Sequence, residues 1–186
     1  MKLYIWRHPK PVAANGICLG QTDMGVNPRK IKRLANKIER FVRKHRLPKV
    51  LWVSPLQRSV KVGELLAQRG FEYHVDADLS ELDFGAWDGL TWEQIGKPQI
   101  DAWCDNFANF DFETGESVQQ LFLRVEHWLN AKSLKNGNQP ILAVGHAGWI
   151  NAARMLADGQ SAPKNVTDWP RPVVYRKLSI IEITTQ

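Results

Sequence analysis

Cysteine is scarce in this chain. It has two, Cys18 and Cys104, among 186 residues, too few for a disulfide-stapled secreted scaffold. One disulfide is possible, but reduced thiols in a cytoplasmic protein are the simpler expectation. No apolar stretch reaches the roughly 18 residues that cross a bilayer. The N-terminus carries Lys2 but neither a long apolar segment nor a small-residue cleavage site, so no signal peptide and no membrane partner are expected. CxxC and HExxH spacings are missing, and no local motif marks a metal site. Repeats, low-complexity tracts and linkers are missing as well. What is present is 44% hydrophobic residues, too many for a disordered chain. The length suits a single domain over residues 1–186.

The formal charge of +6 is confined to one place. Residues 27–46, "NPRKIKRLANKIERFVRKHR", hold nine Lys/Arg against one Glu. The remainder holds 16 basic and 18 acidic residues. Ile31, Leu34, Ala35, Ile38, Phe41 and Val42 recur there at helical spacing, leaving the charges on the opposite face. Asn27 suits an N-cap and Pro28 a first helical position. A solvated helix face accounts for the charge run, with an anionic partner as the alternative. Nucleic acid is not expected as a partner, and oligomeric state is not readable.

Along the chain, strands alternate with helices. Residues 2–7 and "KVLWVS" (49–54) read as strands, as does "PILAVGH" (140–146). "EYHVDADL" (72–79) reads as a strand or an extended connection, and "VVYRKLSIIEI" (173–183) as a closing strand. "LQRSVKVGELLAQRG" reads as a helix stopped by Gly70. "GESVQQLFLRVEHWLNAK" and "AGWINAARMLA" are further helices. Residues 91–112 mix short helical patterns with aromatics. The pattern predicts an α/β fold: a three-layer sandwich whose mostly parallel sheet is covered by helices on both faces.

Polar chemistry gathers where strands end. The first strand finishes in Arg7-His8, the second leads into "SPLQRS" with Arg58, and another finishes in His146-Ala147-Gly148. "SELDFGAWDG" puts Glu81 after an extended segment. Taken singly, each residue has an ordinary structural explanation. Ligands collect outside the carboxyl ends of parallel strands, so together they predict one anion-seeking crevice. Arginine forks match phosphate oxygens, and helix N-termini add N–H donors.

The ordered set "RHP", "SPLQR", "ELDFGAWDG" and "GHAGW", with "TGES" opening a helix, resembles the histidine phosphatase (phosphoglycerate-mutase-like) superfamily over nearly the whole chain. Within it, the compact length and "ELDFGAWDG" look most like α-ribazole-5′-phosphate phosphatases of cobalamin assembly. The resemblance implies a cytoplasmic, metal- and cofactor-free phosphomonoesterase acting on a small-molecule phosphate monoester. It implies His8 as nucleophile, Arg7, Arg58 and His146 as catalytic groups binding the phosphoryl oxygens, and Glu81 as proton donor. Gln21 and Thr22 are candidate phosphate contacts, while Asp83 and Asp88 are assigned solvated or structural roles.

The pattern departs from the family at Pro9, where glycine is common, and lacks the "RHGET" continuation. Asn15 stands one position later than the family's asparagine. Proline holds His8 extended, which suits a strand exit aimed across a pocket. The aromatics at 87, 92, 103, 107, 110 and 112 have two readings, core packing or a cap that selects the organic part of the substrate. Other sugar, nucleotide, phosphoamino acid or phosphohistidine substrates fit the same motifs. A mutase fits less well, the chain being short for the extra loops. A phosphate-ligand binding module without turnover is the rival from another class.

Overall fold

The computed structural model describes residues 1–183, so the last three residues of the expected 1–186 domain lie outside the described residues. Five strands form one sheet: β1 (Lys2–Arg7), β2 (Val50–Val53), β3 (Glu72–Val75), β4 (Ile141–Gly145) and β5 (Leu178–Glu182). Their order is β3-β2-β4-β1-β5. The first four run parallel, and β5 pairs antiparallel with β1 at the edge.

Side-chain alternation decides which layer each residue joins. Leu3 and Ile5 of β1 and Ala143 of β4 face the core shared with α5 (Val118–Asn136) and α6 (Ala147–Ala157). Trp6, Leu142 and Val144 face the other core, against α1 (Pro28–His45) and α2 (Gln57–Ala67). Leu3, Ile5 and Trp6 have no exposed surface. Burial on both faces is the reason the middle of β1, Leu3–Trp6, is an apolar run. Two short helices, α3 (Trp92–Ile95) and α4 (Lys97–Asp105), lie in the 91–112 segment.

Helix starts follow the expected chemistry. Asn27 accepts a hydrogen bond from the Arg29 amide (2.9 Å), with Pro28 beginning α1. Ser117 and Gln120 form a reciprocal capping box at α5, with bonds of 2.7 and 3.2 Å.

The closing strand is shorter than its sequence pattern. Only Leu178–Glu182 joins the sheet, and residues 173–177 form a loop. Arg176 adopts a left-handed φ of 62° that turns the chain out of the ladder. The extended segment at 72–79 likewise divides into β3 and a 3₁₀ turn over Ala77–Leu79.

Candidate active site

Register brings the histidines together. Arg7 pairs with Gly145 across the parallel β1–β4 ladder, so the next residues, His8 and His146, leave the sheet side by side. The His8 amide still donates to the Gly145 carbonyl at 2.9 Å, and the two ring centroids are 4.8 Å apart. Ser54, the residue after β2 on the other side of β4, meets His146 Nε2 through its Oγ at 2.6 Å.

Hydrogen bonds fix both tautomers. His8 Nδ1 lies 2.8 Å from the Pro9 carbonyl, which can only accept, so Nδ1 carries the proton and Nε2 keeps its lone pair. Arg58 Nε donates to His146 Nδ1 at 3.3 Å, which puts the His146 proton on Nε2, directed at Ser54. Burial, followed by the positive charge of Arg58, pushes His8 well below its ordinary pKa of 6.5; the Pro9 bond opposes this and Arg7 adds to it. Burial likewise lowers His146, with His8 and the nearby arginines in support. Both rings are therefore neutral at pH 7.

Arg58 is 1% exposed. Its Nη1 donates to the Thr22 carbonyl at 2.8 Å and its Nη2 to the Gly20 carbonyl. The amides of that same loop turn onto Asp88: Gly20 and Thr22 each donate to Oδ1 at 3.1 Å, and Gln21 to Oδ2. Gly20 is required here because a Cβ would come within 2.2 Å of the Leu82 carbonyl. Arg7 donates from Nη1 to the Val173 carbonyl at 2.6 Å and lies 3.7 Å over the Tyr175 ring. Its buried Nε has no partner among the described residues.

Glu81 sits against the N-terminus of α6. Its Oε2 accepts from the Gly148 amide (3.0 Å), and its Oε1 from Trp149 (3.2 Å) and Leu82 (3.1 Å). Only glycine permits this approach, since a Cβ on residue 148 would stand 2.5 Å from Oε1. Arg124 of α5 holds the segment from behind, donating to the carbonyls of Asp78 (2.7 Å) and Ser80 (3.0 Å) while paired with Glu116.

Arg7, His8 and Glu81 line one cavity of about 270 Å³ together with Phe84, Trp103 and Trp169. Arg58 and His146 stand behind His8 rather than on the cavity wall. Both ring nitrogens of His146 are engaged by protein groups, so direct contact with a ligand would require one of those bonds to exchange. Gln21 and Thr22 do not line the cavity; Gln21 Nε2 donates to the Glu81 carbonyl at 3.1 Å, and Thr22 acts on Arg58 through its carbonyl. Of the two expectations for Asp88, solvated or structural, the three amides on its carboxylate favour the structural one.

The aromatic set divides. Trp92, Trp103 and Phe107 line the cavity, whereas Trp87 and Phe112 pack in a small core with Cys18, whose buried thiol is pushed up to about 12. Sequence reasoning did not single out Ser54, Arg124, Asn151, Trp169 or Tyr175. Among the described residues, no cluster of three or more His, Cys, Asp or Glu side chains is placed to hold a metal ion. No helix there is long and apolar enough to cross a membrane.

Comparison with known proteins gives this arrangement its class. The model of the histidine phosphatase superfamily (branch 1) matches residues 3–185, and the chain belongs to that family. The α-ribazole phosphatase of Shigella flexneri superposes with a TM-score of 0.78 at 25% identity, covering 99% of this chain and 91% of that one. A mycobacterial glucosyl-3-phosphoglycerate phosphatase shares the fold, with a TM-score of 0.77 at 21% identity over 96% of this chain and 88% of its own. Phosphoserine phosphatase 1 of Hydrogenobacter thermophilus is 25% identical over 101 residues, 52% of this chain. That match spans about half (48%) of the curated relative's length.

Proposed function

We propose that the chain is a single-domain phosphomonoesterase that works through a phosphohistidine on His8. The observation that carries this reading is the His8 tautomer. With Nδ1–H donated to Pro9 at 2.8 Å, the Nε2 lone pair is free in a neutral imidazole on the cavity wall, beside Arg7 and in front of Arg58.

In the first step Nε2 attacks phosphorus, the P–N bond forms and the ester P–O bond breaks. Glu81 gives its proton to the departing alkoxide, which is a poor leaving group without it. In the second step water attacks phosphorus, Glu81 takes the water's proton, and the P–N bond breaks to release phosphate and restore His8. Arg7, on the cavity wall, is the guanidinium available to the phosphoryl oxygens, and Arg58, behind His8, adds a fixed positive charge. Fixed donors of this kind stabilise charge without reorganising during the reaction. His146 acts through Arg58, holding Nε at 3.3 Å. Gln21 and Thr22 belong to the loop that holds the Arg58 guanidinium rather than touching phosphate.

α-Ribazole 5′-phosphate leads our substrate assignments. The likeness to the Shigella flexneri enzyme supports it, as do the aromatic side chains that line the cavity. Other sugar or nucleotide monoesters follow. The free thiols of Cys18 and Cys104 suit a reducing cytoplasm. The test is phosphate release from an aryl phosphate with a chelator present, in the parent protein and His8→Ala. Chelator-resistant hydrolysis that vanishes in a folded His8→Ala protein supports the reading. Chelator-sensitive hydrolysis, or turnover surviving the substitution, overturns the mechanism, and ligand binding with no hydrolysis of any ester supports the binding-module alternative.

A further inference from the structure

The segment 170–177, which precedes β5, is fastened on both sides of Tyr175. Asn151 of α6, itself 1% exposed, donates from Nδ2 to the carbonyls of Pro170 (2.9 Å) and Arg171 (3.4 Å). After Tyr175, the Arg176 amide donates to the Arg7 carbonyl at 3.0 Å, and the Arg7 amide to the Lys177 carbonyl at 3.1 Å. Lys37 of α1 adds a bond from Nζ to the Arg176 carbonyl at 3.0 Å. Residues 173–175 are thereby held beside the end of β1, where Arg7 gives way to His8.

Two contacts reach the Arg7 side chain from this stretch. The Val173 carbonyl accepts from Nη1 at 2.6 Å, and the centre of the Tyr175 ring lies 3.7 Å from the guanidinium carbon. The same ring stands at 63° to that of His8, with centroids 5.6 Å apart, and all three residues line the cavity. A guanidinium is planar, and one bond from Nη1 leaves it free to turn about that bond. An aromatic face against the carbon removes this freedom. Phosphate oxygens are met by N–H groups in the plane, so a ring on the face does not compete with them. Rotamer freedom given up on folding is not given up again when phosphate arrives.

We propose that Tyr175 is a positioning residue whose ring sets the plane of the Arg7 guanidinium for the phosphoryl oxygens, an inference that rests on the phosphomonoesterase reading for the role of Arg7. The ring face does this, and the hydroxyl is not needed for it.

The experiment has two readouts: kcat and KM for p-nitrophenyl phosphate, and calorimetric binding of inorganic phosphate, which needs no turnover. Tyr175→Leu is expected to weaken phosphate binding about three- to thirtyfold, the range of a lost cation–ring contact, and to lower kcat/KM by at least as much. Tyr175→Phe, which keeps the ring, should recover most of both losses. A double-mutant cycle with Arg7→Lys then separates positioning from general loosening. Lysine keeps the charge but has no plane to orient, so in that background Tyr175→Leu should change phosphate binding by about twofold or less. If Tyr175→Leu does not fold, Tyr175→Met takes its place in the cycle. Unchanged phosphate binding in Tyr175→Leu, equal losses in both backgrounds, or a Tyr175→Phe protein as weak as Tyr175→Leu overturns the assignment and leaves the phosphomonoesterase reading intact. Phosphate binding without ester hydrolysis in the parent overturns that reading alone, and the cycle still decides on Tyr175. A parent that neither binds phosphate nor hydrolyses the ester overturns both.

Discussion

Asp88 controls Arg58 through one loop: its carboxylate gathers the amides of residues 20–22, and the carbonyls of Gly20 and Thr22 then hold the guanidinium. The Gln21 amide shares a peptide unit with the Gly20 carbonyl, so holding the one on Asp88 points the other at Arg58, and the Thr22 carbonyl follows on the next peptide unit of the same loop. Arg58 in turn orients His146. An acidic residue outside the cavity thereby sets the direction of a buried cation behind the nucleophile.

Asp88 is accordingly a positioning residue. Asp88→Ala should lower kcat about 10- to 100-fold, less than loss of Arg58 itself, which belongs to the class of charge-stabilising donors. Inhibition by inorganic phosphate should weaken in parallel, and Asp88→Asn, which keeps one acceptor oxygen, should recover part of both. Unchanged phosphate inhibition in a folded Asp88→Ala protein would break the proposed chain.

Gly148→Ala should displace Glu81. The added Cβ would lie 2.5 Å from Oε1, and the carboxylate must move. Its kcat is expected to fall toward that of Glu81→Gln, itself about 10²–10⁴ below the parent. A parent-like kcat in Gly148→Ala would show that Glu81 works from another position.

The two neutral histidines tie stability to pH. Both fold with pKa values depressed from 6.5, whereas the unfolded chain protonates them as pH falls through that value. The unfolded state then binds more protons, and stability is lost below about pH 6.5. Urea unfolding at pH 7.5 and 5.5 should differ by about 2–3 kcal/mol from these two sites. His8→Ala should remove about half of that difference. Equal unfolding free energies at the two pH values would contradict the neutral pair.

Ser117→Ala removes the α5 cap and should cost about 1 kcal/mol, read as a lower urea midpoint with an unchanged slope.

Residues adjoining regular elements were the ones the sequence revealed. Arg7 and His8 are at the end of an unbroken apolar strand, Arg58 opens a helix, and His146 follows β4, so periodicity alone located their backbones. Glu81 emerged from its motif. Ser54 was within reach of the same logic, being the residue after β2, but a lone serine carries no signal of a partner 92 positions away. Tyr175 was hidden by its own neighbours, because "VVYRK" has β-forming residues and its departure from the sheet depends on the φ of Arg176. Asn151 read as one polar position in an apolar helix. Only the folded chain brings the carbonyls of 170 and 171 to its amide. Asp88 reads from the sequence as solvated or structural, and its connection to Arg58 passes through backbone groups that no side-chain pattern encodes.

The most direct test is the atom that carries the phosphoryl group. Rapid quenching into alkali during turnover of p-nitrophenyl phosphate, followed by peptide mapping, locates the label and distinguishes the two phosphohistidine isomers. A phosphoryl group on Nε2 of His8 is the predicted result, because Nδ1 is bound to the Pro9 carbonyl at 2.8 Å. Label on Nδ1, on another residue, or on none during active turnover would contradict it.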